Sequence, residues 1–200
     1  MSPRQIHLTL AEVMRGREVL AAAFTDDPLM HWLFPEEIGR TDAVAAWLGV
    51  FLEGFAASAV ADVVLDPAGV PAGVALWRIG AADVEMPALP SVGGLLVALL
   101  GPERAVQLGG GLRAFATNKP SPPYHYLQFL AVHPGSQGSG HGRALVQHGQ
   151  ARAAEAGVGV YLESTNSSNL GFYHSLGFRP IGEFTLQPAG PVAHRLWWQP

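Results

Sequence analysis

Cysteine is absent from the 200-residue chain, so no disulfide framework, zinc–thiolate site or thiol nucleophile can be built. A reducing, cytoplasmic setting is the natural expectation. Lysine is nearly absent too: Lys119 is alone among 12 basic residues, the rest being arginine. Charged residues of both signs make up 14% of the chain, against a usual share of about a quarter, and the formal net charge is −4. That leaves no broad basic footprint of the kind nucleic acid requires. Long apolar runs are also missing. The longest, Ser91 to Gly101, is about half of what a bilayer crossing needs and is interrupted by glycine. Met1 to Gln5 leads into an alternating stretch without the apolar core of a signal peptide. The eight histidines show no H-E-x-x-H or comparable ligand spacing, so no metal is expected. Neither nucleic acid nor a membrane is expected as a partner.

Against these absences stands an apolar content of 48%, enough for a sizeable core in one domain spanning 1–200. Gln5 to Leu10 alternates like a short strand, and Val13, Gly16, Leu20 and Phe24 then recur at helical spacing until Asp27-Pro28. Leu29 to Pro35 reads as an aromatic-rich connection. Thr41 to Ala57 reads as a helix capped by Thr41 or Asp42. Val60–Leu65 and Val74–Ile79, joined by Asp66-Pro-Ala-Gly69, predict a hairpin. A helical insertion at about 91–117, broken near Gly101-Pro102, ends in the Pro-rich link Lys119 to Pro123. Strand Tyr126–Val132, helix Gly140–Ala156, strand Val158–Glu163, helix Asn169–Leu176 with Asn169 as its cap, and strands Phe178–Leu186 and Val192–Trp198 complete the order. This order implies an α/β fold with a mixed central sheet and helices on both faces. The C-terminal strand is expected at a sheet edge, where it could pair across a homodimer; a monomer is equally open.

The segment richest in chemistry runs from the apolar strand ending Leu130-Ala131-Val132-His133-Pro134 into Gln137-Gly138-Ser139-Gly140-His141-Gly142-Arg143. Glycines let the backbone approach a ligand closely, and the free N–H groups of a helix start favour anions. Such a turn cradles a phosphate or pyrophosphate without lysine. It is not a Walker A loop, which ends Gly-Lys-Ser/Thr, nor a G-x-G-x-x-G dinucleotide fingerprint. It fits Q/R-x-x-G-x-G/A through Gln137, Gly140 and Gly142. About 30 residues later, Leu162-Glu163-Ser-Thr-Asn-Ser-Ser-Asn169 leads into Phe172-Tyr173-His-Ser-Leu-Gly177-Phe178, of the form F-Y-x-x-x-G-F.

With both motifs in this order the chain resembles the GNAT family of N-acetyltransferases over nearly its whole length. Its layout is closest to puromycin N-acetyltransferase-like members, on Leu20-Ala-Ala-Ala-Phe24 with Asp27-Pro28, the helical insertion, and Leu162-Glu163-Ser164 leading to Asn169. The resemblance implies a GNAT-type acyl-CoA N-acyltransferase fold and acetyl-CoA as cosubstrate. It implies that the amides from Gln137 to Gly142 hold the pyrophosphate, with Arg143 adding charge and His141 a donor. Backbone groups of Leu130, Ala131 and Val132 would bond the pantetheine and polarise the thioester carbonyl. Asn169 and Phe172 would also contact the cofactor, and Tyr173 would protonate the departing thiolate.

The general base is less determined: Glu163 is the first choice, with His133 and His31 in reserve. Asp27, His31, Trp32 and Trp77 are candidate acceptor contacts, alongside Asp26 and Glu85; the helices at 41–57 and 91–117 would roof the acceptor site with Trp47, for which core packing is the competing reading. The expected activity is direct acetyl transfer to a primary amine of a small, antibiotic-like molecule. A protein or peptide acceptor, and a non-catalytic acetyl-CoA sensor, are the competing readings.

Overall fold

The computed structural model describes residues 2–5, 9–86, 91–121 and 123–200. Arg4–Gln5 form a two-residue strand, β1, and helix α1 spans Leu10–Phe24, with the Thr9 side chain accepting the Glu12 amide. Of the strand expected over 5–10, Gln5 lies in β1 and Leu10 opens α1, while 6–8 lie outside the described residues. The stretch read as an aromatic connection is helix α2, Pro28–Leu33. Asp27 caps it by accepting the Leu29 amide at 2.9 Å, and Pro28 sits at the first helical position, where its missing N–H costs nothing. Helix α3, Arg40–Ala57, starts after Gly39 at φ 82°, so neither Thr41 nor Asp42 is its cap.

The hairpin forms as β2, Ala61–Leu65, and β3, Pro71–Arg78. Helices α4, Val92–Leu100, and α5, Pro102–Thr117, meet at Gly101 as their sequence break requires. Then follow β4, Tyr124–Val132; α6, His141–Glu155; β5, Gly159–Ser164; α7, Leu170–His174; β6, Arg179–Thr185; and β7, Val192–Trp198.

The seven strands form one sheet in the order β1-β2-β3-β4-β5-β7-β6. The β4–β5 pair is parallel and every other pair antiparallel. The C-terminal strand therefore lies inside the sheet, and β6 is the edge, contrary to the sequence reading. β7 turns back between β5 and β6 because a hairpin links it to β6 and its register matches Glu163 to Arg195.

Helices α1 and α3, with α4 and α5, cover one face around Leu20, Leu33, Leu52 and Phe55; α6 and α7 cover the other around Trp77, Leu145 and Leu162. The helices come close to their neighbours where side chains are missing. A Cβ on Gly16 would meet Leu52 of α3 at 2.8 Å, and one on Gly149 of α6 would meet the Trp77 ring at 2.1 Å. Between β2 and α6, buried Asp62 accepts both terminal nitrogens of Arg152 at 3.1 and 2.6 Å. Such a bidentate pair fixes α6 against the sheet.

Since Trp77 is fully buried and has no room to withdraw, Gly149→Ala is expected to push α6 off the sheet. The expected cost is about 1–3 kcal/mol, read as a lowered denaturant midpoint with an unchanged slope. An unshifted midpoint would contradict the close α6–β3 approach.

Candidate active site

The site arises where two parallel strands separate. β4 and β5 pair only over Tyr124–Tyr126 and Gly159–Tyr161, although β4 runs on to Val132 and β5 to Ser164. A bulge lies just beyond the last paired residue: Leu76 partners Phe129 and Trp77 partners Leu127, leaving Gln128 as the extra residue on β4. Bulges of this kind bend a strand and re-aim its side chains. Arg78 Nε holds the extra residue by donating to Gln128 Oε1 at 2.6 Å.

Two cavities open along this split. The first, about 570 Å³, is lined by Leu130 and Val132 of β4, by the glycine turn, and by Asn166, Ser168, Asn169, Phe172 and Tyr173. Ala23, Phe24, Asp26 and Asp27 face them from the end of α1. The turn is shaped by Gly138 at φ 77° and Gly140 at φ 82°, a backbone region that favours glycine. Gly140 opens α6 without a side-chain cap bond. Among the described residues no acceptor meets the amides of Gly140 to Arg143, so their partial positive charge faces the cavity. Gln137 Nε2 donates to Val132 O at 3.3 Å, and Arg143 donates to Ser175 Oγ at 2.9 Å, tying the turn to β4 and to the end of α7.

The second cavity, about 340 Å³, is largely apolar and aromatic. Leu29, Trp47, Phe51, Leu112, Phe115 and Phe129 form its walls. Its polar groups are Asp27, Lys119, Tyr126, Gln128, Glu163, Ser164, Thr165, Asn169 and Tyr173. Five residues border both cavities: Phe24, Asp27, Leu130, Asn169 and Tyr173. The cavities thus meet at Tyr173, whose hydroxyl has no hydrogen-bond partner among the described residues.

Electrostatics at the junction follow from burial. Burial, followed by the nearby Asp27 carboxylate, raises the Tyr173 phenol above its ordinary range, so it stays protonated near neutrality. Burial also raises Asp27, against the Leu29 amide and the Thr165 hydroxyl, which donates to Oδ1 at 2.9 Å. Glu163 is raised mainly by burial, while the Tyr126 and Tyr161 hydroxyls and the Lys119 and Arg195 charges pull it back. Its Oε1 accepts Tyr161 Oη at 2.8 Å; its Oε2 is buried with no partner.

Of the residues singled out from sequence, Leu130, Val132, Gln137, Gly138, Gly140, His141, Gly142, Arg143, Asn169, Phe172 and Tyr173 line the first cavity. Glu163 lines the second, and Asp27 lines both. Ser139 borders neither. Ala131 turns its methyl into the opposite core, as strand alternation demands. Asn169 has helical backbone angles and makes no side-chain cap bond; Asn166 caps that turn instead, accepting the Ser168 amide at 3.0 Å.

Three expected acceptor contacts lie elsewhere. Trp77 is buried beneath α6, on the other face of the sheet from the second cavity's aromatic walls. Trp32 is packed in the α1–α3 core and donates through Nε1 to Pro188 O at 2.9 Å. His31 is half-exposed and lies 3.3 Å from Arg40 Nη1. Trp47 is both core and cavity wall. Leu112 and Phe115 belong to the helical segment expected to roof the acceptor site, and the helical spacing along α5 is the signal that singles them out. Sequence reasoning missed Phe24, Asn166 and Tyr126 as lining residues, for which no local signal exists. Among the described residues no cluster of three metal-ligating side chains exists, and no helix is long and apolar enough to cross a membrane.

Residues 93–180, the stretch that holds both motifs, match the family model for an acetyltransferase (GNAT) domain. Over the full length the chain is similar to the histone acetyltransferase HPA2 and related acetyltransferase from Corynebacterium glutamicum, at 29% identity and a TM-score of 0.69, covering 100% of this chain and 97% of that one. The polyamine N-acetyltransferase of Drosophila melanogaster, which forms N-acetylagmatine, shares the fold at 14% identity and a TM-score of 0.59, covering 99% of each chain. So does a chain of the NatC complex bound to Gag peptide and CoA, at 13% identity and a TM-score of 0.57, covering 100% of this chain and 99% of that one. Residues 93–180 thus match a GNAT acetyltransferase domain, and the chain has the α/β architecture of the GNAT acyltransferase fold. It is an acetyltransferase of that type, a class that draws its acetyl group from acetyl-CoA.

Burial gives the folded protein a stronger hold on the Glu163 proton than the unfolded chain has. Folded-state stability contributed by this group therefore falls as pH rises from the ordinary glutamate range through the raised folded value. Glu163→Gln should remove that fall, so the variant gains stability relative to the parent across the window. Denaturant titrations at stepped pH would show it; a difference that is flat or of opposite slope would contradict the burial of this carboxylate.

Proposed function

We propose that the protein N-acetylates a primary amine of a small, largely apolar molecule, binding acetyl-CoA and acceptor together and transferring the acetyl group directly. The observation that carries this reading is the junction of two chemically different cavities at Tyr173. The first has the free amides and positive helix end suited to a pyrophosphate, and a split between strands into which an extended arm fits. Gln137 to Arg143, Asn169 and Phe172 would hold acetyl-CoA there, with the backbone of Leu130 to Val132 beside its thioester. The amides of Ser139 and Ala131 count in this reading though their side chains do not line the cavity.

The second cavity, with its aromatic walls, suits an apolar or aromatic amine. Its volume of about 340 Å³ favours a small molecule over a peptide. The helical pair α4–α5 supplies part of its roof through Val92, Leu112 and Phe115, in keeping with a single domain over 1–200 carrying an acceptor-covering insertion at about 91–117. The likeness in layout to puromycin N-acetyltransferase-like members supports the same class of acceptor. The cysteine-free composition supports a cytoplasmic setting.

In the reaction the acceptor ammonium must first lose a proton. Glu163, which lines the second cavity, serves as base, directly or through water: its proton affinity is raised by burial and its Oε2 has no hydrogen-bond partner. Asp27, at the junction, attracts the amine toward the thioester. Tyr173, protonated near neutrality and free of other bonds, protonates the departing thiolate.

Coenzyme A release against a panel of amines that includes puromycin tests the reading. Release with at least one small amine is expected; tight acetyl-CoA binding with no release above the amine-free background would indicate a sensor instead. With a responsive amine, Tyr173→Phe should lower kcat by about 10²–10⁴-fold and leave acetyl-CoA affinity nearly unchanged. An unchanged kcat would remove the acid assignment.

A further inference from the structure

Lys119, the chain's lone lysine, lies just beyond α5. It lines the second cavity together with Leu112, Phe115 and Ala116 of that helix. Its ammonium rests over the Tyr126 ring, 4.3 Å from the centroid. Among the described residues no carboxylate comes within ion-pair distance of it, so no salt bridge fixes the end of its flexible stem. The buried, half-unpartnered Glu163 carboxylate lies in the same cavity. Tyr126, on which the ammonium rests, belongs to the strand that carries Leu130, one of the residues bordering both cavities. The protein thus holds a primary amine of its own inside the space assigned to the acceptor, against an aromatic face and near a carboxylate.

We infer that Lys119 is a self-acetylation site, modified from acetyl-CoA within one molecule when no external amine fills the cavity. The inference rests on the function proposed above. Burial lowers the lysine's hold on its proton, which increases the neutral fraction available for attack. Neutral Nζ attacks the thioester carbonyl carbon. The C–N bond forms and the C–S bond breaks, the surplus amine proton passes to Glu163, and the coenzyme A thiolate takes a proton from Tyr173, which regains one from solvent. The products are Nε-acetyl-Lys119 and free coenzyme A. Acetylation removes the cation above Tyr126 and leaves an uncharged amide occupying part of the acceptor space.

The single lysine makes the test direct, because only one side chain can carry the mark. The whole protein is incubated with acetyl-CoA and no amine, digested, and the Lys119 peptide followed by mass spectrometry. One added acetyl group is expected, with a rate constant independent of protein concentration. It should appear at least about 10-fold faster than in heat-unfolded protein, be slowed in Tyr173→Phe, and be suppressed by an amine the enzyme acetylates. Lys119→Arg should show no acetylated side chain. Acetylation no faster than in unfolded protein, or a rate constant rising with protein concentration, overturns the inference. Amine turnover with an unmodified Lys119 overturns it alone. Loss of acetyl-CoA binding together with both reactions overturns the donor site on which it rests, and the inference with it.

Discussion

The separation of β4 from β5 after three paired residues is the constraint on which the site depends. Parallel strands in a closed sheet satisfy their backbone groups against each other. Here one side of β4 is released from that pairing as it approaches the glycine turn. The released backbone, the end of β5 and the loop leading to α7 become the walls of both cavities. The bulge at Gln128 stands at the start of the divergence, and the Arg78 side chain steadies it. Neither motif would form a site on a fully paired sheet. The glycine turn would present free amides to nothing, and Tyr173 would be one more aromatic in the α6–α7 core.

Much of this was legible in the sequence, for identifiable reasons. The break between α4 and α5 is spelled by Gly101-Pro102, and the face of α6 by Val146, Gly149 and Ala153. The glycine turn was readable because positive-φ geometry at Gly138 and Gly140 has a residue-level signature. Helix α2 was hidden because Asp-Pro stops one helix and starts the next equally well; only the Asp27–Leu29 bond decides which. Residue type alone points to Asn169 as a cap, whereas Asn166 is the one that reaches an amide.

The tryptophans show a different limit. Ala72 to Trp77 are all buried, because β3 is covered on both faces. A strand of that kind has no polar alternation to say which way each side chain points. Trp77 therefore could not be assigned a face from sequence, and it turned out to lie under α6. Likewise the bulge in β4 changes the side-chain phase after Leu127, so simple counting from one end of the strand misplaces the other. The position of β7 inside the sheet is a topological fact that no local pattern encodes.

The two sides of the first cavity are held in unlike ways. On one side α6 is tied twice to the turn that ends α7, by Gln150 donating to Leu176 O at 2.9 Å and by Arg143 donating to Ser175 Oγ. On the other, the segment carrying Phe24, Asp26 and Asp27 is joined to the β5–α7 loop by the hydrogen bond from Thr165 to Asp27. The arrangement is a clamp with one fixed jaw and one latched jaw. Its latch is a buried carboxylate at the meeting point of the two cavities, so the group that fastens the jaw is also among the first that an arriving amine would disturb.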